Sequence, residues 1–501
     1  MSRRAGAHLG RLQGDDRHMN LGAVQRIFGM LLMIFSLTML PPVGISLLFD
    51  DHNWSPFADA FAIVLATGLL LWLPARHRRR ELRLRDGFII VALFWIVLGL
   101  AGAVPLVLTD RPVMTVTDAV FEAVSGFTTT GATTLVGLDD LPPSLLYYRQ
   151  QIQWFGGIGI VVLAVALLPV LGVGGMQLLK AETPGPVKDA KLTPRITATA
   201  KALWLLYLVL TVACAGGYYA AGMSPFDAIT HSFTTVSSGG YSTHDASLAH
   251  FDSVAVEIVA IAFMFAGGIN FSLHFIAWRY RRIRDYGRDA EFRAYVGIIV
   301  TVTLLSTVIL YAGEAFDGVA TSLRRAAFTA VSVQTSTGYT TADFSLWPGA
   351  LPVLLIFLSF VGGSAGSTAG GMKVVRWLLI ARQGSREVLR LIHPRAELPV
   401  KLGGKPVRWQ IVDAVWGFFA VYVTCFAVLM MMLLSTGENQ VTAFSAIATC
   451  MNNLGPGLGE VSSNFTTISP AGKWICVMAM LLGRLEIFPM LVLLSPAFWR
   501  R

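Results

Sequence analysis

The chain has 501 residues, of which 54% are hydrophobic and only 14% charged, with a mean hydropathy of +0.62. A soluble protein of this size could not hide that much apolar surface, so a multi-pass membrane protein is expected. The net charge of +9 does not mark a nucleic-acid binder, because Lys and Arg gather in alternate loops between apolar runs: residues 76–85, 279–293 and 373–408. By the positive-inside rule these loops, and with them both termini, are expected in the cytoplasm. The intervening loops are acidic, with Asp50, Asp51, Asp139, Asp140, Asp245, Asp252, Glu314, Asp317, Asp343 and Glu460. Cys214, Cys425, Cys450 and Cys476 lie in or beside apolar segments and imply no disulfide framework. The first 26 residues are polar and basic and are not read as a cleavable signal peptide.

Runs such as 27–49, 87–108, 254–275 and 414–434 are each long enough to cross about 30 Å of hydrocarbon. About ten spans are expected, with four shorter apolar segments that read as re-entrant. Segment 1–86 holds a cytoplasmic leader and an accessory hairpin, with helices near 25–49 and 58–75. Four repeats follow, at 87–199, 200–294, 295–409 and 410–501. Each has a first helix, a short Thr/Ser-rich helix, a polar loop with a glycine, and a second helix. First helices are placed near 87–108, 202–221, 295–311 and 411–434. Short helices are placed near 117–128, 225–235, 323–335 and 441–450. Second helices are placed near 151–171, 254–275, 351–380 (interrupted) and 473–494. The long linkers 172–199 and 382–408 read either as docking surfaces for a soluble partner or as solvated connections.

The repeat shows best in residues 118–134 (DAVFEAVSGFTTTGATT) and 325–341 (RAAFTAVSVQTSTGYTT), which match at ten of seventeen positions without a gap. Gly131, Gly240, Gly338 and Gly455 recur at spacings of 109, 98 and 117 residues. The expected architecture is therefore an all-α integral membrane protein. Four helix–pore loop–helix repeats surround one pseudo-fourfold pore, and a two-helix hairpin lies beside them. A cation entering lipid loses its water at a large Born cost, which only densely placed oxygens can offset. Glycine lets a chain turn carbonyls inward, so the loops are candidates for a cation selectivity filter. Its residues are Thr129, Thr130, Gly131, Ser238, Gly239, Gly240, Ser336, Thr337, Gly338, Asn453, Leu454 and Gly455. The second loop matches the first poorly at Val236; Gly240 rather than Gly239 is assigned to the filter glycine because Tyr241 parallels Tyr339. The plainer reading of such clusters is close packing between membrane helices.

Residues 360–373 (FVGGSAGSTAGGMK) hold five glycines where a spanning helix should be, at about 1 kcal/mol each relative to alanine. A non-helical intramembrane loop is expected, with Gly362, Gly363, Gly366, Ser367, Thr368, Gly370 and Gly371 forming a movable gate; tight helix packing is the alternative. The second helices carry Phe155-Gly156-Gly157, Phe265-Ala266-Gly267-Gly268 and Phe360-Val361-Gly362-Gly363, whereas the fourth has Leu482-Gly483-Arg484. A charge inside a span is a functional hypothesis by default, and Arg484 is read as a barrier below the filter. An ion pair with Glu486 or Glu122 is the structural alternative.

Together, FTTTGAT around Gly131, SSGGYSTHD around Gly240, QTSTGYTTADF around Gly338, NNLGPGLG around Gly455, GGSAGSTAGG and GRLEIF resemble the Trk/Ktr/HKT superfamily of potassium transporters, and within it the bacterial TrkH subunits. The resemblance covers almost the whole chain. It implies passage of K⁺, favoured over Na⁺ because sodium-preferring relatives tend to carry serine where Gly131 stands. It implies a homodimer in the bacterial inner membrane with one pore per protomer, and a cytosolic nucleotide-binding partner of the TrkA type. K⁺ is the metal at the filter residues. No organic cofactor is expected, since no GxGxxG follows a strand. The alternative is a symporter coupling K⁺ to H⁺ or Na⁺ by alternating access, which usually needs midplane ionisable groups; the chain offers Arg484 and the unit-three break but no cluster of buried carboxylates. A membrane enzyme is not expected. His231 and His244 flank loop two, with Asp245 following, but they lack metal-ligand spacing and read as outer-mouth structure.

Overall fold

The computed structural model describes residues 21–77, 84–162 and 192–499. The chain enters on α1 (Leu21–Ser36) and α2 (Leu40–Phe49), one continuous apolar span, and returns on α3 (Trp54–Ala75). These form the expected hairpin. A Cβ on Gly29 would lie 2.8 Å from the Gly68 carbonyl oxygen and one on Gly68 2.9 Å from that of Gly29, so small residues let the two backbones touch. Leu47, Leu48 and Leu70 point outward, as expected of side chains that meet lipid rather than water.

Repeat one is α4 (Leu84–Leu108), α5 (Val116–Phe127) and α6 (Pro143–Val162). Repeat two is α7 (Leu192–Ala220), α8 (Pro225–Val236), α9 (Val254–Gly267) and α10 (Phe271–Tyr280); the short α11 (Arg284–Arg288) follows. Repeat three is α12 (Ala290–Ala312), α13 (Gly318–Gln334), α14 (Leu351–Val361) and α15 (Val374–Ile392). Repeat four is α16 (Trp409–Leu434), α17 (Gln440–Met451), α18 (Pro470–Arg484), α19 (Phe488–Leu494) and α20 (Pro496–Trp499). Among the described residues, six helices are long and apolar enough to cross a membrane, or up to eight if each of two bent pairs is one span. The expected count of about ten differs because α14 stops after eleven residues and because residues 163–171 of the unit-one span lie outside the described residues.

Two second helices expected to be continuous are broken. Between α9 and α10 the chain bends by 95°; Asn270 starts a new helix there, its side chain accepting from Ser272 N at 2.8 Å. Between α18 and α19 the bend is 117°. Glu486 (φ 52) and Ile487 (φ 62) are left-handed, and Pro489 at the start of α19 cannot donate the bond that would continue α18. The expected interruption in repeat three is present, with residues 362–373 non-helical. The linker reading for 382–408 needs correcting, since α15 runs on to Ile392. A small ribbon then pairs β1 (Lys401–Leu402) with β2 (Lys405–Pro406), and Val400 and Leu402 pack with Val412 and Val415 of α16. Of the other linker, 172–191 lies outside the described residues and 192–199 begins α7.

Of the four short helices α5, α8, α13 and α17, all but α13 begin with a side-chain cap. Thr115, Ser224 and Asn439 accept from the backbone N–H three residues on, at 3.2, 3.0 and 2.8 Å. Each packs against the first helix of its own repeat. Each is also contacted by the second helix of the preceding repeat: α6 meets α8, α9 meets α13, α14 meets α17, and α18 meets α5. That last pair closes a cycle of four. The short helices therefore form the inner wall, and residues 119–127 of α5 are all buried.

Candidate ion-conducting site

All four short helices end alike. The N–H of Thr129, Ser238, Ser336 and Asn453 donates three residues back, to Gly126, Thr235, Val333 and Cys450 (2.9–3.2 Å). The next N–H, of Thr130, Gly239, Thr337 and Leu454, donates five residues back, to Ser125, Thr234, Ser332 and Thr449 (2.8–2.9 Å). This is a Schellman ending, which requires a left-handed residue just past the helix. Thr129 (φ 54), Ser238 (φ 55), Ser336 (φ 53) and Asn453 (φ 53) supply it. None is glycine, and for a β-branched threonine the conformation is strained by about 1–3 kcal/mol. Two residues later the chain is left-handed again, at Gly131 (φ 81), Gly240 (φ 75), Gly338 (φ 79) and Gly455 (φ 94).

The four glycines then interlock in order. A Cβ on Gly131 would lie 2.2 Å from the Gly239 carbonyl oxygen, one on Gly240 1.7 Å from that of Thr337, one on Gly338 2.1 Å from that of Leu454, and one on Gly455 2.8 Å from that of Thr130. Each glycine thus seats on the carbonyl just before the next loop's glycine, and the fourth returns to the first. All twelve filter candidates lie in this ring, and the equivalence of Gly240 with the other three supports its assignment over Gly239. Gly239 matters differently: its carbonyl accepts from Gln153 Nε2 at 2.8 Å, while Gln153 Oε1 accepts from Tyr241 N at 3.1 Å.

On one side, a vestibule of about 280 Å³ is lined by the four glycines and by the residues that follow them. Behind it sits a fully buried ion pair that sequence reasoning missed. Arg149 Nε donates to Glu122 Oε1 at 2.8 Å, and its guanidinium lies 4.3 Å from the Tyr241 ring centroid. Thr133 Oγ1 and Thr134 N donate to the same carboxylate at 3.0 and 2.9 Å. The signal was the polar run Arg149-Gln150-Gln151-Ile152-Gln153 in an otherwise apolar helix. Asp245 accepts from Gly137 N and Leu138 N at 3.0 and 2.8 Å, stitching loop two to loop one. His231 is buried, with Nε2 3.0 Å from Ser242 Oγ. His244 is not only mouth structure, for it meets His250 and Asp139. The hydrogen bond from His244 holds the Asp139 carboxyl below the usual range.

On the other side of the ring lies the glycine-rich loop 362–373. Gly371 N donates to Asn452 O at 3.1 Å, Thr368 Oγ1 pairs with Ser238 Oγ at 2.9 Å, and Gly370 N donates to Ser336 Oγ. A Cβ on Gly370 would lie 2.1 Å from Asn452 O and one on Gly362 2.3 Å from Gly370 O. Of the expected gate residues, Gly362, Gly370, Gly371 and Thr368 touch the ring or one another. A Cβ on Gly363 would lie 3.0 Å from Gly268 O, and Gly366 packs towards the Asn270 side chain; Ser367 turns back on Ser364 O at 2.6 Å. Arg484 is 3% exposed and its Nη1 donates to Thr368 O at 3.1 Å. The ion pair that was its structural alternative is not formed: Glu486 pairs with Arg376 and Glu122 with Arg149. Nε and Nη2 of Arg484 have no hydrogen-bond partner among the described residues, and the guanidinium lies 5.6 Å from the Trp95 ring centroid.

The family model of TrkH, a cation transport protein, matches residues 54–501. The chain belongs to the TrkH family. It is 55% identical over 483 residues to the Trk system potassium uptake protein TrkH of Halomonas elongata, covering 96% of this chain and all of that one. It is 49% identical over 482 residues to the protein of the same name from Escherichia coli K12, again covering 96% and 100%. The crystal structure of the potassium transporter TrkH from Vibrio parahaemolyticus superposes with a TM-score of 0.90 at 49% identity, over 96% of this chain and 100% of that one. The resemblance read from the loop motifs therefore holds, for a family of membrane transporters rather than enzymes.

Proposed function

We propose that this chain is a channel-like subunit of a potassium uptake system, passing K⁺ along the axis of the four-loop ring. The observation that carries the reading is the cyclic seating of each ring glycine on the carbonyl of the next loop. In a regular extended strand successive residues face opposite ways. Left-handed residues at alternate positions break that alternation and let neighbouring carbonyls share one side, as a bare cation requires. Four helix C-termini aim their partial negative charge at the same point. Thr129 Oγ1 is buried without a hydrogen-bond partner among the described residues, as a group left for an ion or water would be. The ion is cargo, and no organic cofactor enters the reading.

The loop 362–373 and Arg484 form the gate and barrier on the far side of the ring. The basic segments 279–293 and 382–408 face the cytoplasm and dock a nucleotide-binding ring of the TrkA type; the relatives' names, each a component of a Trk system, support a partnered assembly. Two protomers pair in the bacterial inner membrane, with both termini inside.

Purified protein in a planar bilayer tests the reading. A reversal potential that follows the K⁺ gradient at any pH and Na⁺ concentration is expected. A potential that moves with the H⁺ or Na⁺ gradient supports the coupled symporter instead.

A further inference from the structure

We infer that Asp139, His244 and His250 form a Zn²⁺ site at the rim of the vestibule, through which the ion restrains cation entry. One ligand atom from each residue lies within 4.8 Å of the others. The two histidines present the same nitrogen to the same oxygen: His244 Nδ1 contacts Asp139 Oδ1, and His250 Nδ1 stands 3.9 Å from it. Their rings are stacked, with centroids 3.4 Å apart and planes within 3°. A hydrogen bond explains the first approach. It does not explain the second, which is too long for one. Two imidazole nitrogens and a carboxylate oxygen within 4.8 Å of one another are a borderline-soft donor set suited to Zn²⁺ and neighbouring first-row ions. Tetrahedral bonds of about 2 Å place donors about 3.4 Å apart, so the site closes once one imidazole turns out of the stack and both in-plane lone pairs aim at the ion.

The surroundings pre-organise it. His244 Nε2 makes no hydrogen bond but faces Asp227 Oδ1 at 3.6 Å. That is the position of the carboxylate which orients a metal-bound histidine through its other nitrogen. Asp227 is itself held by Ser224 Oγ at 2.7 Å and Thr243 Oγ1 at 2.8 Å. The two backbone N–H bonds to Asp245 fix the turn that carries Asp139 beside His244. Sequence spacing hides the set, because Asp139 is 105 residues from His244. A divalent ion here would place positive charge at the edge of the vestibule, which His244 and the four ring glycines line, and oppose an approaching monovalent cation.

The inhibitory role rests on the proposed conduction path, whereas metal binding does not, so two arms separate them. In calorimetry of the full-length, untagged protein with Zn²⁺, one saturable site per chain is expected. His250→Gln should weaken it at least tenfold, and Asp227→Asn about tenfold by freeing the imidazole. No saturable site, or wild-type affinity in His250→Gln, overturns the assignment. In proteoliposomes Zn²⁺ should slow ⁸⁶Rb⁺ uptake by wild-type protein and leave His250→Gln unaffected. Uptake indifferent to Zn²⁺ while calorimetric binding persists overturns the inhibitory role.

Discussion

In the ring, Thr129-Thr130-Gly131, Ser238-Gly239-Gly240, Ser336-Thr337-Gly338 and Asn453-Leu454-Gly455 share one backbone despite their different side chains. In the layer beneath it, repeats two to four go separate ways. Repeat three opens into a glycine-rich loop, repeats two and four bend by 95° and 117°, and repeat four sets Arg484 against that loop. Under the proposed function, the contrast follows from what each layer does. A ring that replaces water around an ion needs equal contributions from every quarter, so backbone geometry is held fixed four times. A device that blocks and releases flow needs only one movable part, and asymmetry there has no such penalty.

Gly240→Ala tests the ring side of the contrast most severely. With 1.7 Å between the added Cβ and Thr337 O and a left-handed φ of 75, no side-chain rotation relieves the clash. ⁸⁶Rb⁺ uptake in proteoliposomes should fall to background. Gly297→Ala in α12, where nothing lies within 4 Å, should transport normally. Uptake retained by Gly240→Ala would show that the ring need not be close-packed.

Arg149→Gln probes what holds loops one and two in place. It strands the Glu122 carboxylate, which is fully buried. Breaking such a pair costs about 3–5 kcal/mol. A clear fall in Tm in detergent is expected, measured against the wild-type protein.

The ring was legible because its requirements fall on few residue types. Glycine at a close approach and hydroxyl or amide residues before it survive in sequence as a motif, and the matched segments 118–134 and 325–341 expose the period. The five glycines of 362–373 announced their loop for the same reason. The break at Asn270 was hidden because a single polar residue in an apolar run reads as a buried side chain rather than as a helix start. Pro489 could have signalled the second break. Gln153 and the Asp139–His244–His250 cluster act across repeats and Arg149–Glu122 across two elements of one, and partners 27 to 105 residues apart leave no periodicity to read.

Arg484→Gln sharpens the other half of the comparison. Its charge has no carboxylate partner and sits against Thr368 O on the side of the ring away from the vestibule. Removing it should raise single-channel conductance by up to about tenfold, equivalent to about 1.4 kcal/mol of barrier. Conductance that is unchanged or lower would make the arginine a brace for the loop instead.

The smallest expected effect comes from Glu291→Gln, and it asks whether the lower layer is movable at all. Glu291 begins α12 and is 5% exposed. Its Oε1 accepts from Ala365 N at 2.7 Å and from Val375 N at 3.2 Å, so one carboxylate ties the loop at two points ten residues apart. It also lies within the basic segment 279–293. A neutral amide oxygen still accepts from both N–H groups, but without charge assistance, a loss of about 1 kcal/mol. If the loop exchanges between closed and open positions, and this carboxylate favours the closed one, open probability should rise about fivefold at unchanged conductance. A static loop would give unchanged gating with a slightly lower Tm. Single-channel recording separates the two, because Arg484→Gln acts on the height of each opening and Glu291→Gln on how often openings occur.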